Sequence, residues 1–325
     1  MVPSARCNRA EAPGEQADRQ PDVSRRTPRR YNSSRTMTEG LAAKFTLADV
    51  RAARQSARKL AMLTCYDFTT ARLMQQAGVP MLLVGDSAAV VMLGHANTLP
   101  VSLSFMIEIT AAVRRGAPLC FVVADMPFGS YQASLAQGVK NVMKMVKRSG
   151  CDCVKMELAR CHLPLLQALA DAGVAVMAHV GLRPQRVCVL GGYRVQGKTA
   201  EEAMEIVNLA CEAERHGAVS ILLEAVPPEV AKAVVDRTSV PVIGCGAGPW
   251  CHGSVVVTHD ALGLSGVRPK FVPVLGDLAT PTVGALREYA RAVADGSYPG
   301  PQHCYSMPQE ELERFRQRLE RQGTA

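Results

Sequence analysis

Between residues 60 and 260 the chain alternates two patterns: short apolar, β-branched runs that end on a charged residue, and amphipathic stretches with helical spacing. Four runs show the first pattern most clearly: MLLVGDS (81–87), CFVVADMPF (120–128), CDCVKMEL (151–158) and VSILLEAVP (219–227). A continuous apolar run bounded by turn signals marks a strand buried on both faces. Strands are predicted at 60–65, 81–86, 119–125, 151–157, 174–180, 219–224 and 241–248. Helices are predicted over 68–78, ending near 114–116, and over 134–148, 161–172, 200–216 and 228–237. Residues 255–260, VVVTHD, fit an eighth strand or a short helix equally well, and 181–199 reads as a long loop. Two polar amphipathic segments near 280–295 and 308–322 close the chain. Seven or eight β/α units of about 25–30 residues favour a (β/α)8 TIM barrel. A doubly wound open sheet is the alternative, but no GxGxxG follows a strand and no GxxxxGK[ST] occurs.

Composition narrows this picture. Residues 1–40 are rich in Arg, Pro, Ser, Gly and Gln and lack apolar periodicity, so they are expected to form a disordered basic extension. The barrel, with its C-terminal helices, is expected over 41–325, and Met37 is a second candidate start. The net charge of +8 belongs to the first 60 residues, which hold 13 Lys/Arg against 6 Asp/Glu; the remainder holds 24 against 23. A nucleic-acid-binding body is therefore not indicated. No run of about 18 apolar residues points to a membrane span. The eleven cysteines form no CxxC pair, and several lie in apolar strands or helices, as Cys65, Cys120, Cys151, Cys153 and Cys211 do. Reduced core thiols in a reducing, cytoplasmic compartment are expected. Cys151 and Cys153, two apart in a predicted strand, should face the same side. A mitochondrial location is the alternative if the extension is a transit peptide, although Glu11, Glu15, Asp18 and Asp22 argue against that.

Active sites of such barrels lie at the C-terminal ends of the strands. Asp86, Asp125 and Glu157 end successive strands, and three hard oxygen donors without a convergent His or Cys suit Mg²⁺ rather than Zn²⁺. Lys155, two residues before Glu157, shares its face; a buried Lys there requires an anionic partner or ligand. Glu224 ends ILLE in an apolar frame that raises a carboxyl pKa and suits a proton acceptor. His179 ends VMAHV on the same rim, where a lone His is usually a satisfied structural residue. The loop GGYRVQGK (191–198) has the glycines and cations of a lid over an anion, and equally of a plain surface loop.

At these positions the sequence resembles the ketopantoate hydroxymethyltransferase family, among the phosphoenolpyruvate mutase/isocitrate lyase-like barrels. The resemblance runs from about Leu60 to Tyr305. It is carried by TCYD (64–67), VGDS (84–87), GHANTLPVS (94–102), AAVRRGAP (111–118), ADMPFGSY (124–131), VKME (154–157), GLRPQ (181–185), GGYRVQGK (191–198), LLEAVP (222–227), PVIGCGAG (241–248), HDALG (259–263) and PKFV (269–272). It implies Asp86, Asp125 and Glu157 at a Mg²⁺ site, some acting through water. It also implies Asp86, Ser87, Asp125 and Lys155 on the 2-keto acid, and Glu224 as catalytic base. The implied reaction carries a hydroxymethyl group from 5,10-methylenetetrahydrofolate to 3-methyl-2-oxobutanoate through a Mg²⁺-stabilised enolate, giving 2-dehydropantoate for pantothenate and coenzyme A synthesis. The implied assembly is a homodecamer or another large homo-oligomer. The alternatives are a C–C lyase acting on a 2-keto or 2-hydroxy acid on the same barrel, and a non-catalytic paralogue. Three segments depart from the family pattern: Ala88-Ala89-Val90 for Leu-Gly-Met, Leu158-Ala159-Arg160 for a Gly-Gly segment, and His252-Gly253-Ser254 for Asp-Gly-Gln. The first puts a methyl where backbone is expected to approach ligand, and the second is expected to crowd the mouth.

Overall fold

Eight parallel strands close a barrel in chain order. They are β1 (Leu60–Thr64), β2 (Met81–Val84), β3 (Phe121–Asp125), β4 (Cys153–Glu157), β5 (Val176–Gly181), β6 (Ser220–Glu224), β7 (Val242–Cys245) and β8 (Gly253–Val256). Closure is made by β8 on β1, with Met62 opposite Val255, so the open-sheet alternative is excluded. The computed structural model describes residues 41–323 apart from 57 and 267. The disorder expected over 1–40 lies outside the described residues.

The ambiguous segment 255–260 is both a strand and a helix. Val255 is buried inside the barrel and continues β8. Two residues after the strand, Thr258 donates its backbone N–H to the Thr64 hydroxyl (3.0 Å) and its own hydroxyl to the Thr64 carbonyl (2.6 Å). This pair of bonds turns the chain out of the sheet and into the helix Thr258–Ala261.

Side-chain alternation divides the core into two layers. Leu60, Met62, Met81, Leu83, Phe121, Val123, Cys153, Met177, Leu222 and Ile243 fill the barrel. Their neighbours, such as Leu82, Val122, Val154, Ala178 and Ile221, pack outward beneath the helices. Helix starts follow local capping: Asp67, Ser102, Ser134 and Thr199 each accept a backbone N–H from the first turn of the helix that follows. The helix Pro228–Arg237 opens on proline, whose missing N–H is harmless in a first turn. Three short helices, Leu47–Ala52, Ala88–Val91 and Val187–Leu190, have too few residues to show periodicity in sequence.

Cys65, Cys120, Cys151, Cys153 and Cys251 are buried thiols, and no described cysteine is in a disulfide. Burial pushes the Cys65 thiol up to about 12. The shared facing of Cys151 and Cys153 is corrected: β4 begins only at Cys153, so Cys151 packs in the outer layer and Cys153 inside the barrel. The closing helices, Ala279–Ala294 and Gln309–Gln322, bury no residue and leave Leu286 and Tyr289 exposed. Among the described residues no helix is long and apolar enough to cross a membrane.

Candidate active site

The alternation that fills the barrel also builds its mouth. Two residues beyond Val123 comes Asp125; beyond Cys153 come Lys155 and Glu157; beyond Met177 comes His179; beyond Leu222 comes Glu224. A polar layer thus sits above the apolar one at the C-terminal ends of β3 to β6. Asp125 and His179 are completely buried, and Asp86, Lys155 and Glu157 nearly so.

Four of the expected site residues form one network. Lys155 Nζ lies 2.5 Å from Asp125 Oδ2, and the same oxygen accepts the Asp86 backbone N–H at 3.2 Å. Asp86 Oδ2 accepts from Gln185 Nε2 at 2.9 Å. The two carboxylate oxygens of Glu157 accept the Gln185 backbone N–H at 3.1 and 3.2 Å. Ser87 follows Asp86 directly, and its hydroxyl is 2.8 Å from that of Tyr66. Glu224 stands on the far side of β5, with Oε2 3.3 Å from His179 Nε2.

These groups hold protons unequally. Burial, then the charge of Asp125, pushes the Asp86 carboxyl up to about 7, with Lys155 opposing. Burial, then Asp86, raises Glu157 well above the usual carboxylate range. Burial by itself would lower the Lys155 ammonium, but Asp125, Asp86 and Glu157 outweigh it and raise the group, so it stays a cation. Burial lifts Glu224 to about 7 against the opposing charge of Lys155. Burial, then Lys155, holds His179 well below its ordinary value, so its imidazole is neutral. Its ring meets the Leu182 backbone, whose hydrogen bond opposes the lowering, and its Nε2 lies 3.3 Å from Glu224 Oε2.

The cluster fits a hard divalent cation. Asp125 Oδ1 is buried with no partner, and the surrounding donors are carboxylate oxygens. Among the described residues no three His, Cys, Asp or Glu side chains are placed to ligate one ion together. Mg²⁺ needs no such cage, because it keeps several waters and takes only one or two carboxylates directly.

Backbone conformation fixes Glu224. Gly181 ends β5 at φ +91°, and a Cβ there would lie 2.5 Å from the Glu224 carbonyl oxygen and 2.8 Å from Val226 Cγ1. Only glycine permits both that φ and that approach. Ala225, next to Glu224, has φ +47°, a conformation unfavourable for a residue with a Cβ. It persists because both its backbone groups are bonded, its N–H to the Cys245 carbonyl (2.8 Å) and its carbonyl to the Gln196 N–H (2.9 Å). Gly181→Ala is expected to destabilise the fold by about 2 kcal/mol or more through clash and strain, measured as a lowered urea midpoint. An unchanged midpoint would show that the β5–β6 rim yields freely. The Gln196 bond also tethers loop 191–198 to the mouth. Tyr193 of that loop is half exposed, and its phenol is raised by burial and then by the charges of Asp86, Glu224 and Glu157.

The comparisons with known proteins agree with the sequence resemblance. Residues 44–301 match the family described as ketopantoate hydroxymethyltransferase. The chain belongs to that family. It is 43% identical over 271 residues to a 3-methyl-2-oxobutanoate hydroxymethyltransferase of Heliobacterium modesticaldum, covering 83% of this chain and 98% of the relative. It is 41% identical over 287 residues to the mitochondrial 3-methyl-2-oxobutanoate hydroxymethyltransferase 2 of Oryza sativa, covering 86% and 72%. Among solved structures, a phosphonopyruvate hydrolase complexed with oxalate and Mg²⁺ aligns with TM-score 0.54 at 18% identity, over 85% of this chain and 97% of that one. A 2,3-dimethylmalate lyase aligns with TM-score 0.52 at 16% identity, over 86% and 97%. At such identities these two show the fold alone.

The three departures from the pattern of the ketopantoate hydroxymethyltransferase family are accommodated without strain. Ala88 and Ala89 are buried in the helix Ala88–Val91, where alanine is favourable. Leu158 packs in the outer layer, Ala159 is extended, and Arg160 reaches outward to Glu205 (2.9 Å) and Glu212 (3.0 Å). No residue of 158–160 has a positive φ, so none needs glycine. His252 immediately precedes β8, at the end of the barrel away from the acids, and its Nδ1 accepts the Val242 N–H at 3.0 Å. Gln185, Tyr131 and Tyr66 fall within GLRPQ, ADMPFGSY and TCYD, but as uncharged residues in rim loops they carry no charge pattern that marks a role.

Proposed function

We propose that the chain transfers a hydroxymethyl group from 5,10-methylenetetrahydrofolate to 3-methyl-2-oxobutanoate, giving 2-dehydropantoate. The observation that carries this is the division of labour at the mouth. A carboxyl poised near neutrality, Glu224, lies across β5 from a cation–carboxylate cluster that retains a free buried oxygen on Asp125. Separating a proton acceptor from an anion-binding, metal-binding cluster is what deprotonation beside a ketone requires. Asp86, Asp125 and Glu157 would hold Mg²⁺. The metal, when bound, supplies electrostatic stabilisation for negative charge on the keto oxygen. Lys155, cationic and rigidly paired, would bind the substrate carboxylate together with the Ser87 hydroxyl.

Glu224 then accepts the C3 proton. The electron pair left at C3 forms a carbon–carbon bond to the one-carbon unit of the folate. Both bonds between that carbon and the folate nitrogens break, water supplies the hydroxyl oxygen, and the C3 proton and the proton released by water go to the two nitrogens as tetrahydrofolate leaves. Neutral His179 stands beside Glu224 and places no positive charge next to the base, which would depress its basicity. A large homo-oligomer is part of this proposal. Val283, Leu286, Tyr289 and Val293 lie along the helix Ala279–Ala294 at helical spacing and are exposed in the single chain.

The direct test follows exchange of the C3 proton of 3-methyl-2-oxobutanoate in deuterated water, with Mg²⁺ and without folate. Glu224 works only as the carboxylate, so exchange is expected to plateau above about pH 7. Below that it should fall about tenfold per pH unit as the carboxyl protonates. Exchange that is absent, or flat from pH 5 to 8, would contradict the assignment. Adding methylenetetrahydrofolate should then yield 2-dehydropantoate; exchange without that product would limit the proposal to its first half-reaction.

A further inference from the structure

We infer that Gln185 is a positioning residue that holds Asp86 and Glu157 in place for the cation, acting through them rather than touching metal or substrate. This rests on the metal-site assignment proposed above. Gln185 is buried in the loop after β5, and every group of its side-chain amide is used. Nε2 donates to Asp86 Oδ2 and to the Met126 carbonyl, each at 2.9 Å. Oε1 accepts from Tyr131 Oη at 3.2 Å and from Gln132 Nε2 at 3.1 Å. With two donors given and two lone pairs filled, the amide is saturated.

That saturation also fixes its orientation. A flipped amide would set its oxygen against a carboxylate and a carbonyl, and its N–H groups against two other donors. Tyr131, which shares its hydroxyl proton between Gln185 Oε1 and the Glu157 carbonyl oxygen (3.0 Å), therefore helps determine which end of the amide meets Asp86. Meanwhile the Gln185 backbone N–H spans both oxygens of Glu157. One residue thus ties carboxylates of two different rim segments, from the loop after β2 and from the end of β4.

The donor is neutral, and that matters chemically. An Arg or Lys in the same place would hold Asp86 equally well but would cancel the charge that attracts a cation. A neutral amide orients the carboxylate and leaves its charge available. Partners of metal ligands commonly act this way, and losing one typically weakens metal affinity about 10–100-fold.

The test is Gln185→Met, which keeps length and removes every side-chain hydrogen bond while leaving the backbone N–H, with Tyr131→Phe as a second variant that keeps Gln185 itself. Mg²⁺ affinity is measured by calorimetry on the protein without substrate, and melting is measured without metal. Gln185→Met is expected to raise the Mg²⁺ dissociation constant at least about tenfold, and Tyr131→Phe by a smaller factor, in proteins that still melt cooperatively. A purely structural role would lower the melting temperature and leave the dissociation constant of the folded fraction unchanged; that result overturns the inference. If Gln185→Met does not fold, Tyr131→Phe decides on the same criterion. Wild-type protein that binds no Mg²⁺ would sink the metal assignment and this inference together. Wild-type and variant proteins binding Mg²⁺ equally would sink this inference alone.

Discussion

Glu224→Gln should reduce C3-proton exchange from 3-methyl-2-oxobutanoate by about 10²–10⁴-fold, the usual contribution of a positioned general base. Keto-acid and Mg²⁺ binding should stay close to wild type. The amide keeps the volume and shape of the carboxyl, so the rim around Gly181 and Ala225 has no reason to move. What disappears is the acceptor for the proton, together with the fall in rate below pH 7. The same substitution is expected to stabilise the protein in neutral and alkaline solution. The folded Glu224 carboxyl titrates near 7 against an ordinary 4.5, so the folded state binds the proton more tightly than the unfolded chain. The corresponding stability is fully present below pH 4.5 and is lost as pH rises to about 7, by roughly 3 kcal/mol across that window. Glutamine has no such loss. Above pH 7 the variant should therefore melt at a higher temperature, while below pH 4.5 the two proteins should converge. Unchanged exchange would remove Glu224 from the role of base; exchange lost together with Mg²⁺ binding would show that the residue serves the metal instead.

Much of this is legible in the sequence. The apolar runs ending in acids report strands buried on both faces. Once a barrel is assumed, alternation alone predicts that Lys155 and Glu157 share the inner face of β4. The strand ends also placed Asp125 and Glu224, because the residue that leaves the apolar layer first is the one that meets the mouth. What stayed hidden depends on contacts between distant segments. Nothing in VMAHV says that His179 Nε2 will lie 3.3 Å from Glu224 Oε2 across the β5–β6 pair. Nothing in GLRPQ says that Gln185 will reach Asp86, 99 residues earlier. The segment VVVTHD is ambiguous in sequence because the bonds that end β8 come from Thr64, 194 residues earlier than Thr258. Cys151 lies two residues before β4 begins, so strand alternation does not set its facing.

The Lys155–Asp125 pair offers a way to separate stability from binding. Both side chains are almost fully buried, and Asp125 Oδ2 holds Lys155 Nζ and the Asp86 N–H together. Asp125→Ala leaves a buried ammonium and a buried amide without their acceptor, a change expected to destabilise the protein by about 3–5 kcal/mol. It also deletes Oδ1, the free oxygen offered to the cation, and disturbs the placement of Lys155, so Mg²⁺ and keto-acid binding should fall together, each by about 100-fold or more. Adding Lys155→Met to Asp125→Ala removes the stranded charge. Replacing both members of a buried ion pair by apolar groups removes the uncompensated charge, so the double variant should regain part of the lost melting temperature, the Asp86 N–H still lacking its acceptor. It should regain neither ligand. Calorimetry and thermal melts on the four proteins of this cycle settle the matter: partly recovered stability with absent binding is the expected pattern. If Asp125→Ala weakens only one ligand, Mg²⁺ and the keto acid do not share the site built around Asp125. If the double variant binds both, the cluster is structural and the chemistry lies elsewhere in the barrel.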